Sequence, residues 1–205
     1  MIELTPRLDE AIRRSAWAHE QAGQHRKGTD IPYFAHPVAV MFISSQFTDN
    51  EDILIGSLLH DVVEDVSPDI YSADDIDREF GSRVVRLVLD VTKDMQVQDW
   101  HERTRLQLRH LGRKALADSL VIALSDKIHG VQTTTAEYEK MGDAIWQQKF
   151  SGKTAEDKLW AYDSVLEIGR RRGAKTEQTD LLGDSLALLR RKLREGGSLD
   201  DDIAI

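Results

Sequence analysis

The stretch Leu58–Val66 reads LLHDVVEDV, and its spacing predicts the end of a helix rather than a strand. Leu58, Leu59 and Val62 continue an apolar stripe that starts at Ile53, with steps of three to five residues. On that helix His60 and Glu64 stand four residues apart, as do Asp61 and Asp65, so two neighbouring stripes present one imidazole and three carboxylates. Burying so many ionisable groups beside aliphatic ones is costly unless a cation compensates. A divalent metal is the economical answer, although a solvated helix end could carry the same letters without any function.

Outward from this segment the same periodicity recurs. Leu116, Leu120, Ala123, Leu124, Ile128 and Val131 form one stripe, Leu8, Ile12, Ala16 and His19 another, and Leu159, Tyr162, Leu166 and Gly169 a third. Convincing period-two runs are absent. PVAVMFISSQF and VVRLVLDV are rich in β-branched residues, but the first places Pro37 in an opening turn and the second follows a Gly-Ser start, so both read as helices. The expected chain is all-α, with about ten helices near 6–22, 37–47, 50–65, 72–79, 82–92, 99–111, 113–133, 137–149, 153–172 and 177–195. The polar connections 23–32, 66–72 and 92–98 are candidate ligand-holding loops. RRRGAKTEQTD reads as a hinge, and the final GGSLDDDIAI as a frayed tail.

Composition removes several classes of function. The chain has 205 residues, 40% of them hydrophobic and 31% charged, with 27 Lys+Arg against 36 Asp+Glu and a net charge of −9. That length and apolar content suffice for one well-packed domain. No apolar run reaches the roughly 20 residues of a bilayer span, and MIELTPRLDE lacks the features of a signal peptide, so a soluble cytoplasmic protein with no membrane partner is expected. With no cysteine there is no disulfide, thiolate metal site or cysteine nucleophile. The acidic balance argues against nucleic-acid binding, which relies on Lys and Arg neutralising phosphates. A small anionic substrate then needs a local basic patch or a bound cation.

Two further polar residues interrupt apolar helices: His36 in PYFAHPVAV and Asp126 in VIALSDKIHG. Either alone reads as structural, the first as a helix-cap histidine and the second as an aspartate paired with Lys127. Together with His60 and Asp61 they supply two imidazoles and two carboxylates from three helices. Mixed nitrogen and oxygen ligation without sulfur suits Mn, Fe or Zn and leaves positions for water and a substrate oxygen.

The pattern resembles the HD-domain phosphohydrolases, and more narrowly the hydrolase domain of the RelA/SpoT alarmone enzymes. AHEQAGQHRKG, PYFAHP, LLHDVVEDV, Phe80–Gly81, VTK at Val91–Lys93 and LSDKIHGVQT follow one another in that family's order, from about Leu8 to Leu166. The resemblance implies an HD-domain helical bundle over residues 1–173, with 174–205 a C-terminal helix and acidic tail on or extending from it. It implies His36, His60, Asp61 and Asp126 as ligands of one divalent cation, usually Mn2+. Glu64 and Asp65 correspond to the acidic pair that orients and deprotonates the attacking water. Arg26, Lys27, Lys93 and Thr133 fall at substrate-binding positions, although Arg26 and Lys27 also fit a solvated charge pair. The implied reaction removes the 3′-pyrophosphate of guanosine tetra- or pentaphosphate, and the length leaves no room for a synthetase, so a stand-alone alarmone hydrolase is expected.

The sequence departs from the family where the nucleoside should be read. After the last ligand the family carries Asp-Arg-Leu-His-Asn-Met-Arg-Thr, whereas this chain has Asp126, Lys127, Ile128, His129, Gly130, Val131, Gln132 and Thr133. Losing a polar reader costs about 1–3 kcal/mol of discrimination if nothing replaces it. An adenine alarmone, or a 2′- or 3′-phosphate of another nucleotide, therefore stays open beside the guanosine alarmone. An inactive alarmone-binding sensor is a third alternative, against which the intact Glu64 and Asp65 speak. Homo-oligomerisation is left open. His19 is expected to support the site or the core. Glu102, Arg103 and Arg105 are expected to form a helix-surface ion-pair set, and Trp146, Phe150, Trp160 and Tyr162 to act as packing anchors rather than as a base-stacking platform.

Overall fold

The structure is a computed structural model that describes residues 3–200. Among them are eleven helical segments, one of them a single turn, and no strand. They are α1 (Pro6–Gln21), α2 (Ala35–Ser44), α3 (Glu51–Leu59), α4 (Val62–Asp65), α5 (Ala73–Phe80), α6 (Ser82–Val91), α7 (Trp100–Arg113), α8 (Ser119–Met141), α9 (Ala144–Gln148), α10 (Ala155–Arg171) and α11 (Thr176–Glu195). Helix starts carry the side chains that satisfy free backbone N–H groups. Thr5 accepts from Leu8 ahead of Pro6, and Ser72 with Asp75 and Thr154 with Asp157 form reciprocal capping boxes.

Helix α8 is the axis of the bundle. It packs against α2, α3, α6, α10 and α11. One core joins α8, α10 and α11 through Leu124, Ile128, Leu159, Leu182, Leu186 and Leu189, and a second joins α1, α3, α5 and α6 through Leu8, Leu54, Leu58, Ile76 and Val84. Where α3 crosses α8, a Cβ at Gly56 would meet Ile122 Cδ1 at 2.8 Å. A larger residue would have to push the Ile122 side-chain tip aside, and the close crossing sets the end of α3 beside the first turns of α8.

Three sequence expectations change. The helix expected at 50–65 is broken: His60 and Asp61 form a turn between α3 and α4, with Asp61 at φ −94° and ψ −7°. The helix expected at 113–133 starts at Ser119 and runs on to Met141, and the one expected at 137–149 shrinks to α9. Its late start follows from Asp90, whose carboxylate accepts from Leu116 N at 2.7 Å and Ser119 Oγ at 2.8 Å and so holds the preceding residues as a turn. It continues through Thr133, Thr134 and Thr135, whose hydroxyls find acceptors in carbonyls four residues back, so the helix satisfies these side chains itself.

The chain beyond α10 is also tied down. In the first turn of α11, within the stretch expected as a hinge, Gln178 Nε2 donates to Val121 O at 2.8 Å and to Ser125 Oγ at 3.0 Å on α8. Past α11, Leu199 is buried in the α8–α11 core and Ser198 Oγ hydrogen-bonds Tyr138 and Asp143, so this stretch is packed rather than frayed. Residues 201–205 lie outside the described residues.

Candidate metal centre and cationic cleft

The turn between α3 and α4 carries two residues of the site. Neighbouring side chains on a helix diverge by about 100°, and His60 (φ −59°, ψ −33°) and Asp61 (φ −94°, ψ −7°) stay near helical dihedrals, so it is the side chains that bring their tips together. In the turn, His60 Nε2 and Asp61 Oδ2 converge to 3.2 Å. His36, in the first turn of α2, brings its Nε2 to 3.3 Å from both Asp61 Oδ2 and Asp126 Oδ1. One ligand atom each from His36, His60 and Asp126 lies within 4.8 Å of the others. A cluster able to hold a metal ion is therefore present, with Asp61 against it.

Outer contacts fix each member. His60 Nδ1 donates to Ser57 O at 2.8 Å, which turns Nε2 toward the cluster and, once a cation displaces its proton, leaves the Nε2 lone pair as the ligand. Tyr33 Oη donates to Asp61 Oδ2 at 2.6 Å, and the His19 ring lies 4.9 Å from that of Tyr33. His36 Nδ1 meets His129 Nδ1 at 2.7 Å. Burial, with His36 and Arg26 nearby, pulls the His129 pKa down to about 4, so His129 is neutral; with His36 Nε2 turned to the cluster as a ligand, the proton between the two rings belongs on His36 Nδ1. Lys127 pairs with Asp126.

The electrostatics favour a cation. Burial works against a charged His60, but Asp61 and Asp126 outweigh it and hold its pKa up at about 9. Burial would likewise raise Asp61 and Asp126, yet His60 and His36 hold the first well below the carboxylate range, and Lys127 and His36 the second. His60 Nε2 is nonetheless buried with no hydrogen-bond partner. An orphaned imidazole nitrogen facing two ionised carboxylates is the donor set a divalent transition metal fits.

Around this centre lies a cleft of about 370 Å3 lined by Arg26, Lys27, Lys93, Lys127, Lys149 and Lys158. Three of these cations are spoken for. Lys93 Nζ and N bind Glu64 at 2.8 and 2.9 Å, Lys127 pairs with Asp126, and Lys149 Nζ donates to Glu137 at 3.1 Å. The structure thus joins Glu64 and Lys93, which had been assigned separately to water activation and phosphate contact. Arg26, Lys27 and Lys158 have no carboxylate within salt-bridge distance among the described residues. Arg26 sits over Tyr33 at 5.7 Å and Lys158 over Phe150 and Tyr162 at 4.5 and 4.9 Å. Asp65, Gly130 and Thr133 also line the cleft, whereas Gln132 is exposed and does not. A smaller chamber of about 150 Å3, partly apolar and walled by Trp100, Leu108 and Val165, opens on the other side of His60 and Asp126.

Residues 11–151 match the HD domain family. The chain belongs to the HD-domain family. A Drosophila melanogaster protein named guanosine-3′,5′-bis(diphosphate) 3′-pyrophosphohydrolase MESH1 is 32% identical over 179 residues, which cover 80% of this chain and 93% of that one. GTP pyrophosphokinase rsh of Brucella ovis is 28% identical over 135 residues, 62% of this chain but only 18% of the Brucella protein, so the HD-domain chain spans under a fifth of that relative's length. A solved structure described as a metazoan ortholog of SpoT that hydrolyses ppGpp superposes with a TM-score of 0.67 over 97% of this chain and all of that one, at 24% identity. That likeness carries the all-α HD fold. No helix among the described residues is long and apolar enough to cross a membrane.

Tyr33, His129, Lys149, Lys158 and Tyr162 escaped the sequence reading as site residues. His129 stands three after Asp126 on α8, a helical spacing that carried a usable signal, whereas Tyr33 lies in the turn ahead of α2. Lys158 and Tyr162 are four apart on α10 and face the cleft together. Nothing in their local sequence separates them from a packing stripe.

Proposed function

We propose that this HD-domain chain hydrolyses the 3′-pyrophosphate of guanosine tetra- or pentaphosphate with one Mn2+ held by His36, His60, Asp61 and Asp126. The observation that carries the reading is the juxtaposition of an orphaned, carboxylate-flanked imidazole with a nucleotide-sized cleft bearing three unpaired cations. The name and near full-length match of the Drosophila relative support the substrate.

When bound, the ion supplies Lewis acidity and lowers the pKa of water. The chain's own residues do the rest. Arg26, Lys27 and Lys158 hold phosphate oxygens, and Thr133 sits where the nucleoside rests on α8. Water adds to the phosphorus on the 3′ oxygen, the bond from that phosphorus to the 3′ oxygen breaks, pyrophosphate departs, and the 3′ oxygen leaves as the ribose hydroxyl with the proton that the water gave up, returned through Asp65. Asp65, whose carboxylate faces the cleft, takes the proton of the water. Glu64, gripped by Lys93, holds the turn that carries Asp61 and Asp65.

Gly130 favours a second reading, hydrolysis of an adenine alarmone or of another nucleotide phosphate, because no side chain at that position reads the base. Pyrophosphate release measured at fixed Mn2+ across guanosine and adenosine tetraphosphates and simple 2′- and 3′-phosphates decides between them. Turnover of the guanosine compound is expected to dominate. Turnover confined to other nucleotides establishes the second reading, and tight binding with no turnover leaves the sensor.

A further inference from the structure

On the outer side of the α7–α10 pair lies a second groove, of about 440 Å3, that the proposed reaction does not use. Its walls carry Arg105, Arg109 and Arg113, spaced one helical turn apart along α7, and Arg171 from α10, against a single carboxylate, Glu167. All four arginines are exposed. Arg109, Arg113 and Arg171 have no acidic partner within 4.0 Å among the described residues, and Arg105 reaches Glu102 only at that limit. In a chain of net charge −9, leaving such a row unneutralised costs self-repulsion that nearby carboxylates could have relieved.

Helix-end electrostatics do not account for it. Arg172 Nη1 donates to Leu111 O at 2.7 Å and so satisfies a free carbonyl at the end of α7, but Arg105 and Arg109 lie turns away from that end. Gly112 lets the Arg171 guanidinium settle directly on α7, where a Cβ would meet its Nη2 at 3.0 Å. At the other end of the groove Trp160 offers an aromatic wall, with Arg105 over its ring at 5.9 Å. The groove is separate from the metal-side chamber: Leu108 stands between them and lines both.

We propose that this groove is a second anion site that takes a nucleoside polyphosphate, its phosphates across Arg109, Arg113 and Arg171 and its base at the Trp160 end. Guanidinium forks bind phosphate oxygens in pairs and stack on planar rings, so one residue type serves both halves of such a ligand. The volume suits a mononucleotide, and the acidic remainder of the surface gives no extended basic track for RNA.

Calorimetric titration of the EDTA-treated chain with GTP tests it. Arg109→Glu combined with Arg113→Glu is expected to remove one equivalent of bound GTP, whereas Arg26→Ala with Lys27→Ala keeps that equivalent, so failure of the hydrolase reading is told apart from failure of this one. Arg109→Gln with Arg113→Gln serves if the charge reversal unfolds the protein. Unaltered GTP binding in the α7 variants overturns the site. Inorganic pyrophosphate competing as well as GTP overturns the nucleoside half of the proposal, and a single-stranded RNA oligomer that binds the same arginines more tightly than GTP replaces the ligand.

Discussion

Two places in this bundle bury carboxylates among histidines and cations, and they are finished differently. Asp90 on α6 is almost fully enclosed and accepts from Leu116 N at 2.7 Å, Ser119 Oγ and His110 Nε2 at 2.8 Å and Arg86 Nε at 2.9 Å. All of its acceptor capacity is used, and the network pins the turn before α8. At the other place Asp61 and Asp126 face His36 and His60, yet His60 Nε2 finds no hydrogen-bond partner. A satisfied buried network is architecture, whereas one that converges and stays incomplete is a site for something absent from the chain itself.

Substitutions that separate ligand from base test the incomplete cluster hardest. Asp61→Ala is expected to lose the metal and to cut turnover roughly a thousandfold or more, while Asp65→Asn keeps the metal and loses turnover. Metal content by elemental analysis beside kcat distinguishes them, and wild-type rates in both variants would sink the assignment. At the finished network the effect moves from rate to stability. Asp90→Ala strands four donors and is expected to cost about 2–4 kcal/mol, a fall of roughly 4–16 °C in melting temperature for a domain of this size, with kcat of the folded protein preserved.

The Asp90 network also sets a pH dependence with a definite sign. Burial would raise its pKa, but the hydrogen bonds from Leu116, His110, Ser119 and Arg86 outweigh that and hold it below the ordinary value. A folded pKa lower than the unfolded one adds stability that is complete above the unfolded value of about 3.9 and is lost as pH falls through the folded one. Urea denaturation of wild type and Asp90→Ala between pH 7 and pH 3 should therefore show the gap between them closing toward acid. A gap independent of pH removes the ionised carboxylate from the account.

Tyr33→Phe removes a single hydroxyl from the metal side, and a loss of 10- to 100-fold in metal affinity is the expected scale for such an outer partner. That residue also marks the limit of what could be read from the letters. His36, the His60–Asp61 doublet and Asp126 stood out because polar side chains interrupt apolar stripes, and the all-α architecture followed from the period of those stripes. The turn at His60 and Asp61 did not, because both residues keep right-handed helical dihedrals and no glycine or proline marks it, while Tyr33, which donates to Asp61 there, lies 28 residues earlier. Lys149 and Lys158 could not be placed at all. They meet Arg26 and Lys27 from more than 120 residues away, through the course of α8, whose start is set by the Asp90 anchor.

The smallest effect concerns Gly130. Restoring the asparagine that the family carries there would return a polar reader, but the structure puts Tyr162 in its way: a Cβ at position 130 would meet Tyr162 Oη at 3.4 Å and Cε1 at 3.5 Å. The Cβ itself fits, and replacing glycine inside a helix gains a few tenths of a kcal/mol, so stability should stay within about 0.5 kcal/mol of wild type. The amide beyond it must share space with the Tyr162 ring. Gly130→Asn alone should therefore change the guanine-to-adenine ratio of kcat/KM by less than about tenfold, or 1.4 kcal/mol, and combining it with Tyr162→Ala should enlarge the change. If the ratio moves in neither background, the base is read from the opposite wall, by Arg26 stacked on Tyr33, and the departure at position 130 has no bearing on which nucleotide is cleaved.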